Sequence, residues 1–302
     1  MYKRQSYDRP LKILAREGAE VVSLDMDEEG LDPHALEHEI ERTGDQPSFL
    51  YTIPTFQNPS GRTLSAERRV RIAEIAERHC LPVLEDDPYG LVRYEGEPVT
   101  TLHELMNGEL VTHTSSFSKT VAPGLRTGYF VLPAAEAASF EERAVGTYIS
   151  PPYLTQATIS ELIERGGFEP NLERVRGLLR ARRDAMLEAL ERELPSGSSW
   201  SRPQGGYFIW LDLPQGANAS ELATRAAESG VAVVRGDDFF PPGSGRGDSS
   251  VRLAFSYETP KRITEGISVL AGLLGQGPVR KPVAVDDTRD ASRGKDAGSA
   301  NM

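Results

Sequence analysis

The segment Ser115-Ser116-Phe117-Ser118-Lys119-Thr120 surrounds one amine with hydroxyl groups. Lys119 is the only lysine between Lys12 and Lys261, in a stretch where arginine supplies nearly all the other positive charge. Arginine cannot replace lysine as a nucleophile, because a guanidinium keeps its proton whereas a desolvated amine can lose one. A chance surface lysine explains the count equally well. Arg126 follows one short loop later, and hydroxyls with an arginine bind phosphate. The segment therefore favours a nucleophilic lysine beside a phosphate site.

The composition is that of a globular protein, with 302 residues, 38% of them hydrophobic, and a net charge of −11. This charge argues against a nucleic-acid partner, which requires a basic face. Cys80 is the only cysteine, so no disulfide forms within the chain, and no zinc-type spacing of Cys and His occurs. The apolar runs are too short to cross a bilayer. We expect a cytoplasmic protein that binds neither nucleic acid nor membrane.

Apolar strand patterns alternate with amphipathic helix patterns in the first half of the chain. The predicted strands are 19–24, 49–53, 81–85, 110–114 and 128–132, with helices at 10–18, 32–42 and after Ser65. This alternation is typical of an α/β fold, with a mostly parallel sheet covered by helices on both faces. In the helix after Ser65, a stripe that includes Val70 is expected to be buried, with the arginines and glutamates on the opposite, solvent side.

The pattern changes after residue 133. Helices are predicted at 134–143, 153–165, 171–194, 220–229 and 260–274, and strands at 206–211, 231–234 and 250–255. We expect a smaller α+β domain there. The predicted division is a large domain at 1–145, a helical connection at 146–166, the small domain at 167–275 and a disordered tail at 276–302, where aliphatic residues are few.

Polar clusters follow three of the predicted strands: Asn58-Pro59-Ser60-Gly61, Asp86-Asp87-Pro88-Tyr89 and the segment that contains Lys119. In open α/β sheets, ligands bind beyond the carboxyl ends of the strands. A carboxylate at the end of a buried strand needs a cation or a donor. Asp86 fits this role, while Asp87 can cap the following turn. Asn58-Pro59-Ser60-Gly61 taken alone is also an ordinary turn sequence.

Taken together, the motifs are more specific than any one of them. Asn-Pro-x-Gly, Asp-x-x-Tyr and Ser-x-Ser-Lys, with an arginine seven residues after the lysine, follow one another in the chain. This order resembles the pyridoxal-phosphate-dependent aminotransferases of fold type I. The runs 51–59 and 118–126 are most similar to the branch with 2-aminoadipate, kynurenine and aromatic aminotransferases. The branch also includes effector domains of transcription regulators.

The resemblance implies a role for each matching residue. Lys119 would form the Schiff base with the cofactor and move the substrate proton, and Asp86 would pair with the ring nitrogen. Tyr89 and Asn58 would hold the ring oxygen. The other implied roles are stacking on the ring for Tyr7, phosphate binding for Ser116, Ser118 and Arg126, and binding of the substrate carboxylate for Arg252, together with Asn58. Without the family, Arg252 is better explained as an arginine at an exposed strand edge.

The resemblance also implies substrates and partners. An α-amino acid and a 2-oxo acid, with 2-oxoglutarate as the expected acceptor, would exchange an amino group by ping-pong chemistry, in a homodimer. The alternatives are a regulator effector domain, or a lyase or decarboxylase with the same cofactor. Family members carry a long segment upstream of the position of Tyr7. We therefore expect a truncated copy that lacks the first strands of the large domain and part of the phosphate site. The strand at 19–24 would have no neighbour on the side where the missing interior strand belongs, and in one interpretation the truncated chain is inactive.

Overall fold

The computed structural model describes residues 2–3, 7–43, 47–240 and 243–275. The predicted tail at 276–302 lies outside the described residues. In chain order the strands are β1 (Tyr2–Lys3), β2 (Ser23–Leu24), β3 (Met26–Asp27), β4 (Gly30–Leu31), β5 (Leu50–Thr52), β6 (Val83–Asp86), β7 (Val111–Ser116), β8 (Gly128–Val131), β9 (Ser199–Trp200), β10 (Phe208–Asp212), β11 (Val234–Arg235) and β12 (Ser250–Ala254). The helices are α1 (Asp8–Arg16), α2 (Pro33–Thr43), α3 (Ala66–Arg78), α4 (Leu102–Leu105), α5 (Ala134–Tyr148), α6 (Tyr153–Glu164), α7 (Phe168–Glu193), α8 (Ala219–Glu228) and α9 (Pro260–Gly275).

The first sheet has the strand order β5-β6-β7-β8. β5, β6 and β7 are parallel, and β8 runs antiparallel to β7. In this register Asp86, the last residue of β6, lies opposite Thr114. The carboxyl ends of the parallel strands therefore meet at one edge, which places the loops after β5, β6 and β7 side by side. The predicted α/β fold with a mostly parallel sheet is confirmed.

Helices α2 and α3 cover this sheet through an aliphatic core. Leu36 from α2 and Ile72 and Ile75 from α3 are fully buried, together with Leu50 and Val111 from the strands. Ser65 caps α3, accepting a hydrogen bond from the backbone N–H of Arg68. Burial of such side chains is worth about 1.5–3 kcal/mol each. Apolar packing thus fixes α3 and the strand ends beside it.

The predicted faces of α3 are wrong at two positions. Val70 is 46% exposed, whereas Arg69 is fully buried. The helix is rotated so that Arg69 points inward, where its guanidinium reaches backbone carbonyls of the surrounding loops. Hydrogen bonds with those carbonyls offset the cost of burying the charge.

The segment predicted as a strand at 19–24 is a strand only at Ser23–Leu24, and an unpredicted hairpin of β3 and β4 follows it. The prediction that this strand lacks a neighbour is wrong. β1 pairs with β2 in parallel and also approaches β5.

The second sheet has the order β11-β12-β10-β9, with every pair antiparallel. Helices α7, α8 and α9 pack against it, and their contacts form a separate apolar core with Leu190, Ile209, Leu253 and Phe255 at its centre. Among the described helices, none combines the length and the apolar composition that a membrane crossing requires.

The two sheets meet where residues 203–206 run beside residues 92–95. Arg93 and Gly205 form an antiparallel bridge, and the Tyr94 hydroxyl donates to the carbonyl of Gly206. Arg183 from α7 is also buried here, where its guanidinium contacts Glu95 and the Pro203 carbonyl at 2.6 and 2.9 Å. A Cβ atom at Gly205 would lie 2.2 Å from the Phe56 ring and 2.5 Å from the Val92 carbonyl oxygen. Only glycine permits this approach.

Gly205→Ala is expected to lower the free energy of unfolding by about 1–3 kcal/mol, because the added methyl group overlaps a buried ring and the backbone. Gly177→Ala is the matched control: its added methyl group meets no atom within 4 Å in the middle of α7. This control should raise the free energy of unfolding by about 0.5–1 kcal/mol. Urea denaturation followed by circular dichroism measures both. Equal stability of Gly205→Ala and the parent would contradict the close packing.

Candidate active site

The site lies at the carboxyl edge of the first sheet and is completed by residues of the second sheet. Lys119 Nζ lies 5.8 Å from the centre of the Tyr89 ring and 5.2 Å from the centre of the Tyr207 ring. Tyr89 also packs against Phe208, whose ring lies under the guanidinium of Arg252. The structure therefore brings Lys119, Tyr89 and Arg252, which are distant in sequence, around one space.

Lys119 follows β7 in a tight turn, where the backbone N–H of Val121 donates to the carbonyl of Phe117. Its side chain is half-buried. Burial lowers the pKa of the amine, and the positive charges of Arg126 and Arg252 lower it further. A lower pKa increases the neutral, nucleophilic fraction of the amine at a given pH.

Arg126 is exposed and adopts left-handed backbone angles, with φ 52° and ψ 36°. This conformation is unfavourable for a residue with a Cβ atom and is frequent at functional sites. Ser116 ends β7 and Ser118 lies in the turn after it, both half-buried. Within the described part of the chain, neither Lys119 nor Arg126 forms an ion pair with a carboxylate. The loop thus presents two cations beside hydroxyl groups, a combination suited to an anion.

Asp86 is half-buried at the end of β6. The hydroxyl of Tyr51, on the neighbouring strand β5, donates to its Oδ2 atom at 2.6 Å. Burial raises the pKa of Asp86, and the Tyr51 hydrogen bond and the charge of His113 oppose this rise. Asp87 has a different role: it accepts a hydrogen bond from the backbone N–H of Gly90 at 2.8 Å and so caps the following turn.

Asn58 and Arg252 are in direct contact. Arg252 Nη1 donates to Asn58 Oδ1 at 2.8 Å. Because a guanidinium can only donate, it determines the orientation of the buried amide and leaves the two Nδ2 protons of Asn58 for another acceptor. Gln57 Oε1 holds the loop by accepting from the Ser60 amide and hydroxyl at 2.8 and 2.6 Å. The alternative of a plain exposed edge arginine is therefore not favoured for Arg252.

Tyr7 and Tyr89 belong to one aromatic cluster with Tyr51, Phe56 and Phe208. Tyr7 is half-buried at the N-terminal boundary of α1, and Tyr89 is buried. Burial raises the pKa of Tyr89, so its hydroxyl remains a hydrogen-bond donor at neutral pH. The cluster forms an aromatic wall beside Asp86 and Lys119.

Sequence reasoning missed three residues of this region. Tyr51 contacts Asp86, Tyr207 donates its hydroxyl to the Lys119 carbonyl at 3.0 Å, and Arg69 anchors the Asn58 loop. The pair Gly205-Gly206 just before Tyr207 is a usable signal, because consecutive glycines at the start of a predicted strand indicate a close backbone approach. Tyr51 and Arg69 give no such signal, because they occupy ordinary strand and helix positions.

Arg69 fixes the loop that carries Asn58. Its Nη2 atom donates to the Pro54 carbonyl at 3.2 Å and to Thr55 Oγ1 at 2.8 Å, and its Nε atom donates to the Leu64 carbonyl at 3.1 Å. Its Nη1 atom donates to the Thr100 carbonyl at 3.0 Å. The loop between residues 54 and 64 is thus closed at both ends by one side chain.

Comparison with known proteins identifies the class of this fold and site. Residues 2–270 match the family model of aminotransferase class I and II. The chain therefore belongs to the class I and II aminotransferase family, and the resemblance inferred from its motifs is confirmed.

Individual relatives show how far this similarity extends. The chain is 34% identical to aromatic-amino-acid aminotransferase 1 of Thermococcus litoralis over 255 residues, which are 83% of this chain and 61% of that protein. It is 30% identical to an uncharacterized HTH-type transcriptional regulator of Bacillus subtilis, over 89% of this chain and 54% of the regulator. The crystal structure of Pyrococcus horikoshii kynurenine aminotransferase, in complex with PMP, aligns with a TM-score of 0.87 and 33% identity, covering 91% of this chain and 68% of that one. The chain thus spans about three fifths of the aromatic relative.

Replacing Arg69 tests the loop anchor. Arg69→Met is expected to lower the free energy of unfolding by about 1–3 kcal/mol for each buried carbonyl left unsatisfied. Arg71→Met, two residues along the same helix, removes an arginine that forms surface ion pairs with Glu37 and Glu74. This control should change stability by less than about 0.5 kcal/mol. Thermal and urea unfolding of both variants measure the difference, and equal effects would rule out the anchoring role.

Proposed function

We propose that this chain is the catalytic part of a pyridoxal-phosphate-dependent transaminase, which moves an amino group between an α-amino acid and a 2-oxo acid. The observation that carries the proposal is the setting of Lys119. A half-buried amine, its pKa lowered by burial and by the charges of Arg126 and Arg252, lies in a turn next to Ser118 and close to the rings of Tyr89 and Tyr207. The family and the relatives described above support it.

The residues present fit pyridoxal phosphate. A phosphate carries two negative charges, and the guanidinium of Arg126 lacks a carboxylate partner among the described residues. Ser116, Ser118 and Arg126 would hold the phosphate, because charge-assisted hydrogen bonds with arginine are the strongest available. Asp86, whose second oxygen has no described lysine or arginine partner, would pair with the ring nitrogen. Tyr89 and the Nδ2 protons of Asn58 would donate to the ring oxygen, and Tyr7 would stack on the ring.

When bound, the cofactor supplies a protonated ring that accepts the electron pair left on the substrate Cα atom after proton loss. The protein has to generate a base, orient the substrate and exclude water. Lys119 would hold the cofactor through its aldehyde and, when released, would act as the base that takes the Cα proton and as the acid that returns it. Its lowered pKa makes the neutral amine available.

Arg252 would bind the substrate carboxylate. Its guanidinium lies 4.1 Å from the centre of the Phe208 ring and 4.9 Å from that of Phe239, which hold the fork in one plane. Its Nη1 bond to Asn58 ties it to the loop of the first sheet. A planar fork matches a carboxylate bidentately. This geometry supports α-amino acids and 2-oxo acids as the substrate class, with 2-oxoglutarate as the proposed acceptor.

A second candidate is the effector domain of a transcription regulator, with the same fold and cofactor. The similarity to an HTH-type regulator over 89% of this chain favours it. A lyase or decarboxylase on the same cofactor is a third. Incubating the protein with single amino acids and 2-oxoglutarate, and identifying the products, separates the three. Glutamate with a new 2-oxo acid supports transamination, an amine or loss of a side chain supports the third candidate, and cofactor binding without turnover supports the regulator.

We further propose the domain division and location given by the sequence. Residues 1–145 would bind the cofactor, 146–166 would connect the domains, and 167–275 would supply Arg252 and Tyr207 from the second sheet. The two sheets and their separate apolar cores support this division. The single cysteine supports a cytoplasmic location.

A homodimer is the proposed assembly. No residue of α5 is buried, and exposed apolar side chains recur from β8 to the start of α6, with Phe130 58%, Ile149 80% and Tyr153 83% exposed. Several large apolar side chains exposed in one part of the chain favour an interaction site there. The second copy of this chain is the partner that an aminotransferase of this family is expected to present.

Lys119→Ala is expected to abolish the visible absorption band that forms when pyridoxal phosphate is added to the protein, because the methyl group cannot bind an aldehyde. Lys261→Ala is the control, since Lys261 is exposed and forms an ion pair with Glu265 in the next turn of α9. Absorption spectra and borohydride reduction followed by peptide mass spectrometry measure the outcome. A band that survives in Lys119→Ala would disprove the assignment of the lysine.

Tyr153→Asp is expected to shift the proposed dimer toward monomer by at least about tenfold in dissociation constant, because a charge would be buried at an apolar contact. Leu178→Asp, at an exposed apolar position of α7, is the control. Sedimentation equilibrium measures both. A monomeric parent protein, or identical dimerisation of the two variants, would show that this surface does not pair two copies.

A further inference from the structure

Tyr51 is a buried phenol in the middle of β5, with 3% of its surface exposed. Its backbone lies opposite Leu84 in the parallel register, and its hydroxyl reaches forward along β6 to donate to Asp86 Oδ2 at 2.6 Å. A short hydrogen bond from an O–H group to a carboxylate is of the strong, charge-assisted kind. The two residues come from neighbouring strands, so the sheet itself fixes their separation.

The hydrogen bond from Tyr51 matters for Asp86 because, among the described residues, this carboxylate has no arginine or lysine partner to stabilise its charge. Burial raises its pKa, the Tyr51 hydroxyl bond lowers it, and the charge of His113 on β7 acts in the same direction as Tyr51. His113 itself contacts Glu85 through its Nδ1 atom at 3.1 Å. Tyr89, in the loop after β6, also faces Asp86 and stays neutral, because burial raises its pKa.

We propose that Tyr51 is a positioning residue for the cofactor: it holds one oxygen of Asp86, so that the carboxylate stays ionised and presents its other oxygen to the ring nitrogen. This inference rests on the proposed function. Aspartate at the end of a strand has two rotatable bonds, and a fixed donor on one oxygen restricts both. The orientation and the charge of the group that faces the ring are then determined by the hydroxyl of a residue on a different strand.

A purely structural role for Tyr51 makes different predictions. Tyr51 also packs in the aromatic cluster with Ile53, Phe56 and Tyr89. If it acts only through packing, Tyr51→Phe keeps the ring and changes stability alone. If it positions Asp86, the same variant also changes the ionisation of the carboxylate and the pH dependence of cofactor binding. The two roles are therefore separable.

The experiment compares Tyr51→Phe with Tyr94→Phe, which removes a phenolic hydroxyl that donates to the Gly206 carbonyl at the junction of the two sheets. Binding of pyridoxal phosphate to the cofactor-free protein is measured by absorption between pH 4 and 9. Binding needs ionised Asp86, so affinity is lost as the pH falls through its pKa. Loss of the Tyr51 hydroxyl raises the pKa of Asp86. In Tyr51→Phe, the pH below which affinity is lost should therefore rise by about one unit, and the dissociation constant for pyridoxal phosphate at neutral pH should rise about tenfold or more.

His113 titrates nearby, so the carboxyl group is also followed directly. In cofactor-free protein labelled with ¹³C-aspartate, the Asp86 carboxyl resonance is assigned by its loss in Asp86→Asn. Its titration midpoint should rise in Tyr51→Phe and stay in place in Tyr94→Phe. Absence of pyridoxal phosphate binding by the parent protein would overturn the proposed function. If the parent binds pyridoxal phosphate, and Tyr51→Phe and Tyr94→Phe show the same pH dependence of binding and the same Asp86 titration midpoint, the role of Tyr51 is overturned and the proposed function is not.

Discussion

The hydrogen bonds from the guanidinium of Arg69 to backbone carbonyls are the interactions on which the site most depends. This side chain is fully buried and donates to the backbone on both sides of the loop from residue 54 to residue 64. Without it, buried carbonyl groups would lose their partners, and an unsatisfied buried carbonyl is costly. The loop carries Asn58, Asn58 holds Arg252, and Arg252 lies on the second sheet. One helix side chain thus supports the contact that joins the two sheets at the site.

Much of the fold follows from the sequence because the spacing of apolar residues and the position of polar ones can be recognised within a short stretch of chain. The alternating apolar runs predicted β5, β6, β7 and β8 within two residues, and the polar clusters after three strands led to the candidate site. Lys119 was singled out because it is the one lysine of an arginine-rich stretch and because hydroxyl groups and Arg126 surround it in the sequence. Arg69 was misplaced because charge argues for solvent exposure, and only tertiary contacts offset that preference. The short strands β1 to β4 were not predicted or were predicted with wrong bounds. Each is defined by backbone hydrogen bonds to a partner strand and is too short to show an alternating side-chain pattern.

The contacts of Tyr51 and Tyr207 lie beyond what a single sequence determines. Each contact depends on the register between strands or on the approach of two sheets, and neither leaves a periodic signal. Tyr51 reaches Asp86 only because β5 and β6 align Tyr51 with Leu84. Tyr207 reaches Lys119 because Gly205 and Gly206 lack side chains that would keep the sheets apart. The sequence therefore pointed to Asp86 and Lys119 but not to Tyr51 and Tyr207, which form hydrogen bonds with them.

The pairing of β10 with β12 has a mechanical consequence. Trp210 lies opposite Arg252, and the backbone N–H of Phe255 donates to the carbonyl of Tyr207, so Tyr207 and Arg252 are parts of one stiff ribbon. The hydroxyl of Tyr207 donates to the carbonyl of Lys119, so these hydrogen bonds link the strand of Arg252 to the main chain of Lys119. The positions of the Arg252 guanidinium and of the Lys119 main chain are therefore coupled through one antiparallel pair of strands.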